Sequence, residues 1–410
     1  MLLTRIRPGL VPTFLTAVLL LAAQPGGAQR LRVAFVGDPQ VDSEEELAYA
    51  RKSVYGELGS RRDVDLAIFL GDLVNDRMGL LAPSRALLDS LPFPWAGVPG
   101  NHDRDVYGRG RSREMASYRR IIGATDTTFV RGGVRFILMD DVRGIGTRGY
   151  EAGFREDQKA WLSAVLDGTP QGTLAVLSAH IPFSEFKALD SLETLLSRHP
   201  RLLLMCAHTH TMARHTLVFP AGMAVEEVLA GASCGSWWRG VPDGRGIPLS
   251  YQNCGAPPCY YLADFSGGTY RLDYKAIGRP ASEKASAWLV DSTRLVLNVY
   301  GGATGGTVRV RLPGRLRWID VPASTEPAPE QIAVDRFNKT LDARNRARNP
   351  LHIPMRLAAS PHVWAIDLSG SPRLVSALRR AVGKRVKIRY SDPSLSFSTS
   401  VTLQAGPESK

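Results

Sequence analysis

Gly100-Asn101-His102-Asp103 follows the apolar run 93–98, which places an amide, an imidazole and a carboxylate in the loop at the end of a strand. Such a group can hold a metal ion and donate a proton in one place. Alone the tetrapeptide says little, because Gly, Asn and Asp are ordinary turn residues. Four further apolar runs end in the same way. Asp38-Pro39-Gln40 follows 32–36, Gly71-Asp72 follows 66–70, His180 follows 174–178, and His208-Thr209-His210 follows 202–206. Five strands that each end in candidate metal ligands point to a metal centre built on loops.

The elements that must position these loops repeat as strand, loop and helix. Ser43 and Glu46 form a capping box that opens a helix reaching residue 58, and a second helix is expected over 84–91. Two strands joined by Gly132-Gly133 form a hairpin over 129–141. Helices follow over 156–166, with Trp161, Leu162 and Val165 inward, and over 190–198. This order argues for an α/β domain with its ligands at the carboxyl ends of strands. Around Gly278-Arg279-Pro280 the pattern changes. Residues 294–300, 307–312 and 363–368 alternate as half-exposed strands. Ser371-Pro372 opens a short helix ending near Gly383, and Val386, Ile388 and Tyr390 mark a last strand. Residues 322–330 and 344–350 read as long loops. The expected organisation is an α/β domain over 29–280 and a smaller, mainly β domain over 281–410 with no chemistry of its own.

With 44% apolar and 22% charged residues in 410, the chain is a folded protein with a large core and not a disordered one. Arg5 and Arg7, an apolar run over 14–23 and the small residues Gly26-Gly27-Ala28 predict a signal peptide over 1–28. The run is shorter than the ~20 residues a spanning helix needs, and no later stretch is long and apolar enough to cross a membrane. The mature protein is therefore expected in the periplasm or outside the cell. The whole chain carries a formal charge of +12. Residues 1–28 hold two of its Arg and no acid, which leaves +10. That balance favours anionic partners, a phosphorylated substrate or an anionic envelope component, unless the surplus Arg only solvates the surface. No basic run is interleaved with aromatics, which argues against a dedicated nucleic-acid binder. Of the four cysteines, Cys206 sits in an apolar strand, and a bridge is expected between Cys254 and Cys259 or from one of them to Cys234.

Taken together, Asp38-x-Gln40, Gly71-Asp72, Gly100-Asn101-His102-Asp103, His180 and Ala207-His208-Thr209-His210 resemble the calcineurin-like metallophosphoesterase family over about residues 31–275. Cys234-Gly235-Ser236-Trp237-Trp238, Asp243-Gly244, Tyr274-Lys275 and His362-Val363-Trp364 are similar to a bacterial exported branch with an added C-terminal β domain. The resemblance implies a layered α/β sandwich of two sheets flanked by helices, with a second, smaller, mainly β domain. It implies hydrolysis of phosphate mono- or diesters by two divalent ions (Mn, Fe or Zn) and a bridging hydroxide, the ions lying about 3.5–4 Å apart. Asp72 would bridge them. Asp38, Gln40 and His210 would complete one site, and Asn101, His180 and His208 the other. His102 would face the substrate without binding metal and protonate the leaving oxygen.

Two positions depart from the family pattern. Gln40 stands where His is usual, a neutral and harder ligand that changes how the first ion is held or chosen. Ala207 stands where Gly is usual, which matters only if the position needs a positive φ. Other roles stay open. Asp103 fixes the loop or touches the chemistry, and Asn75 and Asp76 orient His102 or shape the turn. Trp237 and Trp238 pack between domains or form an aromatic wall over the site, and Arg239 beside them could pair with a second phosphate or a carboxylate. His199, His215, His352 and His362 read as structural. Two rival functions are compatible with the residues: a non-enzymatic envelope binder whose metal site is degenerate at Gln40, and an extracellular nuclease drawn by the positive charge.

Overall fold

Arg32 is the one polar residue in the strand Leu31–Val36, because both faces of that strand are covered. Val33 and Phe35 enter a core shared with a second sheet, while Ala34 and Val36 meet helices. The computed structural model describes residues 30–106, 111–145 and 149–406, so the expected signal peptide over 1–28 lies outside the described residues.

The first sheet runs in the order Thr269–Ala276, Cys259–Ser266, Leu31–Val36, Leu66–Phe69, Trp95–Gly97, the last three parallel. The second runs Met212–Val218, Ala224–Ala230, Leu202–Cys206, Leu174–Ser178, Val134–Leu138, Thr127–Arg131, and its four inner strands are parallel. Phe35, Ile68, Phe136, Val176, Met205 and Tyr261 fill the space between the sheets. Helices Glu44–Ala50 and Leu81–Asp89 cover the outer face of the first sheet, and Glu156–Asp167 and Leu189–Leu196 that of the second. The first helix is opened by Ser43, whose side chain accepts the Glu46 N–H at 3.2 Å, and runs on through a π turn to Ser60. Seven parallel strands thus send their carboxyl ends to one rim, where their loops bond to one another. The Ser233 N–H donates to Gly37 O at 2.8 Å and the His102 N–H to Asp72 Oδ1 at 2.9 Å.

A third sheet of seven strands draws on residues between Ala285 and Ala405 and has its own core around Val308, Val310, Trp364, Ile388, Tyr390 and Leu403. Helix Pro372–Ala381 packs on it through Leu378 and Ala381. The buried Arg214, on an edge strand of the second sheet, ties this part to the rest. Its guanidinium pairs with Glu226 at 2.6 Å and Asp392 at 2.9 Å, and donates to Gly301 O at 2.9 Å.

Two expectations need correction, and one element was missed. Part of the loop expected over 322–330 belongs to helix Pro329–Thr340, which has Pro at its first position and the Gln331 side chain accepting the Ala328 N–H at 2.7 Å. With Ala328 at the cap, the usual Ser, Thr or Asp signal was missing. The hairpin of Val142–Ile145 and Gly149–Ala152 was not anticipated at all. No disulfide forms among Cys206, Cys234, Cys254 and Cys259, which are free and buried in three separate apolar cores, packed as small hydrophobes.

His362 is buried, its Nδ1 2.6 Å from Asn298 Oδ1, and burial pushes its imidazole down to about 3. An unfolded chain would take up a proton at about pH 6.5 that the folded chain refuses, so stability falls as pH drops through the window from about 6.5 to 3. Each such proton contributes about 1.4 kcal/mol per pH unit. His362→Gln is expected to remove one proton's worth of that slope in urea melts at several pH values. An unchanged slope would show that His362 is already charged in the fold.

Candidate metal centre

Five of the seven candidate ligands sit at positive φ: Asp38 at 44°, Gln40 at 39°, Asp72 at 50°, His208 at 68° and His210 at 51°. Left-handed backbone costs a non-glycine residue on the order of 1–3 kcal/mol and persists where its surroundings hold it. Here it turns each side chain back over the end of its strand. The loops then need room. A Cβ on Gly71, itself at φ 91°, would meet His180 Nδ1 at 2.5 Å, and one on Gly100 would meet Asp72 Oδ1 at 2.1 Å. Ala207 does not have a positive φ, so its departure from glycine is harmless.

Asp72, His180 and His208 each offer a ligand atom, all within 4.8 Å of one another. Asn101 joins them, its Oδ1 3.0 Å from His180 Nε2, while His208 Nδ1 lies 3.1 Å from the same nitrogen. On the other side of Asp72, Gln40 is buried with its amide donating to Asp72 Oδ2 at 3.2 Å, and a half-turn of that amide would present its oxygen. Backbone oxygens fix the imidazoles from behind. His180 Nδ1 is 2.8 Å from Leu70 O and His210 Nδ1 2.5 Å from Gly235 O, so Nε2 is the nitrogen each ring would offer to an ion.

One carboxyl group at this point is left without a hydrogen-bond partner. Asp38 is fully buried and neither of its carboxylate oxygens has a hydrogen-bond partner. Burial, with Asp72 adding to it, pushes the Asp38 carboxyl well above the usual range despite the opposing pull of His180. Burial also works against charge on Asp72, yet His180 and His102 hold that carboxyl below the usual range. His180 is raised to about 10 because the pull of Asp72 and Asp38 outweighs burial, whereas burial holds His208 down to about 3 and His210 to about 4. The neutral imidazoles of His208 and His210, an orphaned carboxyl group and convergent side-chain oxygens are donors that hard or borderline divalent ions take, and an ion there would displace the His180 proton. The residues fit such ions.

His102 lies beside this set and is partly exposed, with Nδ1 3.0 Å from Asp76 Oδ1. Of the two neighbours left open above, Asp76 is therefore the one that orients the ring, and its contact with Nδ1 leaves Nε2 to act on substrate. Asp103 fixes the loop: its carboxylate accepts the N–H groups of Val74 at 3.1 Å and Gly100 at 2.9 Å. Trp237 stacks on His210, with ring centroids 4.4 Å apart. Trp238 does not reach the site. It is buried, and its indole N–H donates to Pro39 O at 2.9 Å from beneath the first ligand loop. Arg239 is tied instead to Ala347 O at 3.0 Å.

Two contributors escaped the sequence reading. The buried Asp141 accepts the N–H groups of His180 at 3.2 Å and Ile181 at 3.0 Å, clamping that ligand loop. Tyr150, on the unanticipated hairpin, stands edge-on to His208 with its hydroxyl 3.4 Å from His208 Nε2. An acidic pair at 140–141 after an apolar strand was the available signal for the first. Nothing local marked the second.

Residues 31–212 match the model of the calcineurin-like phosphoesterase family, and residues 227–377 match that of the C terminal of calcineurin-like phosphoesterase. The chain belongs to the calcineurin-like phosphoesterase family. It is a hydrolase acting on phosphoester bonds. Among solved structures it is similar to a metallophosphoesterase from Sphaerobacter thermophilus at 13% identity, over 60% of this chain and 88% of that one, with a TM-score of 0.28. At that score nothing further rests on the likeness. No curated protein matches the chain.

Asp103→Ala would leave the Val74 and Gly100 N–H groups without partners in a buried place. Each is expected to cost about 1–3 kcal/mol, read as a lower urea midpoint. A loss below about 1 kcal/mol in total would mean that water replaces the carboxylate there.

Proposed function

We propose that this phosphoesterase is an exported hydrolase of phosphate mono- or diesters that works with two divalent ions. The observation that carries it is the buried Asp38 carboxylate, whose side-chain oxygens are unpaired beside Asp72 and His180, next to the convergent group of Asp72, His180 and His208. Asp38, Gln40, Asp72 and His210 would hold one ion, and Asp72, Asn101, His180 and His208 the other. When bound, the ions would polarise the phosphoryl group and activate water at neutral pH. Mn, Fe and Zn all suit this donor set. Export is supported by Arg5, Arg7 and the apolar run that follows them.

The chain's own side chains do the rest. Asp76 fixes the His102 ring through Nδ1, so that Nε2 can hand a proton to the leaving oxygen. The His102 N–H donates to Asp72 Oδ1, which couples the acid to the ligand loop, so the two groups keep one spacing. The Asp103 and Asp141 clamps hold three of the ligand loops still, which is what a preorganised site needs.

Asp72→Asn is expected to bind less Mn, Fe or Zn and to lose nearly all hydrolysis of a chromogenic ester. Wild-type activity in that variant would place the centre elsewhere. His102→Ala separates binding from chemistry. It should keep its metal yet hydrolyse alkyl phosphates about 100- to 10,000-fold more slowly, with a smaller loss for nitrophenyl esters, whose leaving group needs no proton. Equal losses on both substrates, or loss of metal, would show that His102 is not the general acid.

A further inference from the structure

We propose that a groove beside His210, walled on its far side by residues 352–356, binds the organic part of the substrate and selects groups that are planar and negatively charged. The inference rests on the phosphoesterase reading above.

Trp237 and Trp238 are consecutive bulky residues at φ 57° and 53°. Such strain is held only where the surroundings fix it, and it marks sites where a side chain has been re-aimed. Trp238 supplies the anchor under Pro39, and the turn brings Trp237 out onto His210, their planes 27° apart. From the indole a groove of about 640 Å³ opens, with Thr211, Trp237 and Asn253 on one side and His352, Met355 and Arg356 on the other.

This groove is built on the metal loop itself. Thr211 follows His210, and Asn253 donates its backbone N–H to His210 O at 2.9 Å and its amide to Thr209 O at 3.1 Å. Gln331, from helix Pro329–Thr340, joins the two walls, its amide donating to Asn253 O at 2.7 Å and to Ala358 O at 3.2 Å. An ester bound at the metal centre would therefore have its organic part beside this wall.

The lining says what that part should be. The indole of Trp237 and the thioether of Met355 are apolar and polarisable, a surface on which a flat ring stacks well. None of the lining residues is acidic. Arg356 is exposed and makes no ion pair among the described residues. Arg239 and Arg346 stand close enough that, after burial, they hold His352 below the ordinary imidazole range. Guanidinium groups around an apolar slot fit a ring that carries its own phosphate or carboxylate. Nucleotide esters have that chemistry.

Three esters that release the same nitrophenolate test it: methyl para-nitrophenyl phosphate, the para-nitrophenyl ester of thymidylate, and that ester with a further phosphate on the sugar. With metal-loaded enzyme, kcat/KM should rise about tenfold when the ring is added, the scale of one stacked base, and again about tenfold with the added phosphate. Trp237→Ala should erase the first rise and Arg356→Gln the second, each mainly through KM. Trp237→Phe, which keeps a ring, should restore most of the first. Metal content measured on the same samples separates a lost subsite from a displaced His210. Wild-type enzyme that treats the three esters alike, or variants that slow all three equally, would overturn the proposal. Wild-type enzyme that cleaves none of them would instead overturn the phosphoesterase reading on which it rests.

Discussion

Negative charge is gathered at one buried point. Asp38 and Asp72 face each other in a place that water does not reach, with Asp103 and Asp141 close behind, the last two raised by burial to about 7 and 8. His180 alone is held in its charged form strongly enough to oppose them. The surrounding architecture is what keeps these groups together. Two sheets are pressed face to face so that seven strand ends share a rim, glycines are kept where loops nearly touch, and Asp103 and Asp141 spend their oxygens on backbone N–H groups rather than on ligands. A cation at this point relieves repulsion that the fold itself sets up, so metal binding and stability are coupled.

Much of this was written locally. Asp38, Gln40, Asp72, Asn101, His180, His208 and His210 each follow an apolar run closely, so strand end and candidate ligand could be read in one glance. Leu31–Val36 was legible because a strand covered on both faces is apolar at nearly every position, here all but Arg32. What stayed hidden depends on contacts between distant residues. Tyr150 gains its place through a hairpin of ordinary composition, and Trp237 and Trp238 look alike in sequence while one faces His210 and the other Pro39. The helix Pro329–Thr340 was missed because Ala328 gives no side-chain cap. The cysteines misled for another reason: spacing cannot tell a bridging pair from thiols that pack as small apolar groups, as Cys254 and Cys259 do within one core.

Gln40 shows how a change of side chain at a candidate ligand position can be absorbed. An imidazole at that position would be held by its own second nitrogen, whereas the amide is held through the left-handed backbone at 40 and its contact with Asp72. The segment 232–238 packs against the same loop, with Cys234 N–H on Asp38 O at 3.0 Å and the Trp238 indole on Pro39 O. Support that comes from the backbone and a neighbouring loop tolerates the exchange better than support from the side chain alone.

The position of the strand Leu31–Val36 has a consequence for how the molecule comes into being. Its partners are Leu66–Phe69 on one side and Cys259–Ser266 on the other, so the first strand made waits for a neighbour more than two hundred residues later. Contacts of that span are slow to form because a long loop must close before they are rewarded. During synthesis every candidate ligand up to His210 has emerged while the sheet that bears Asp38 and Asp72 still has an open edge. Until Cys259–Ser266 arrives, that edge is a row of unpaired amides available to any other strand.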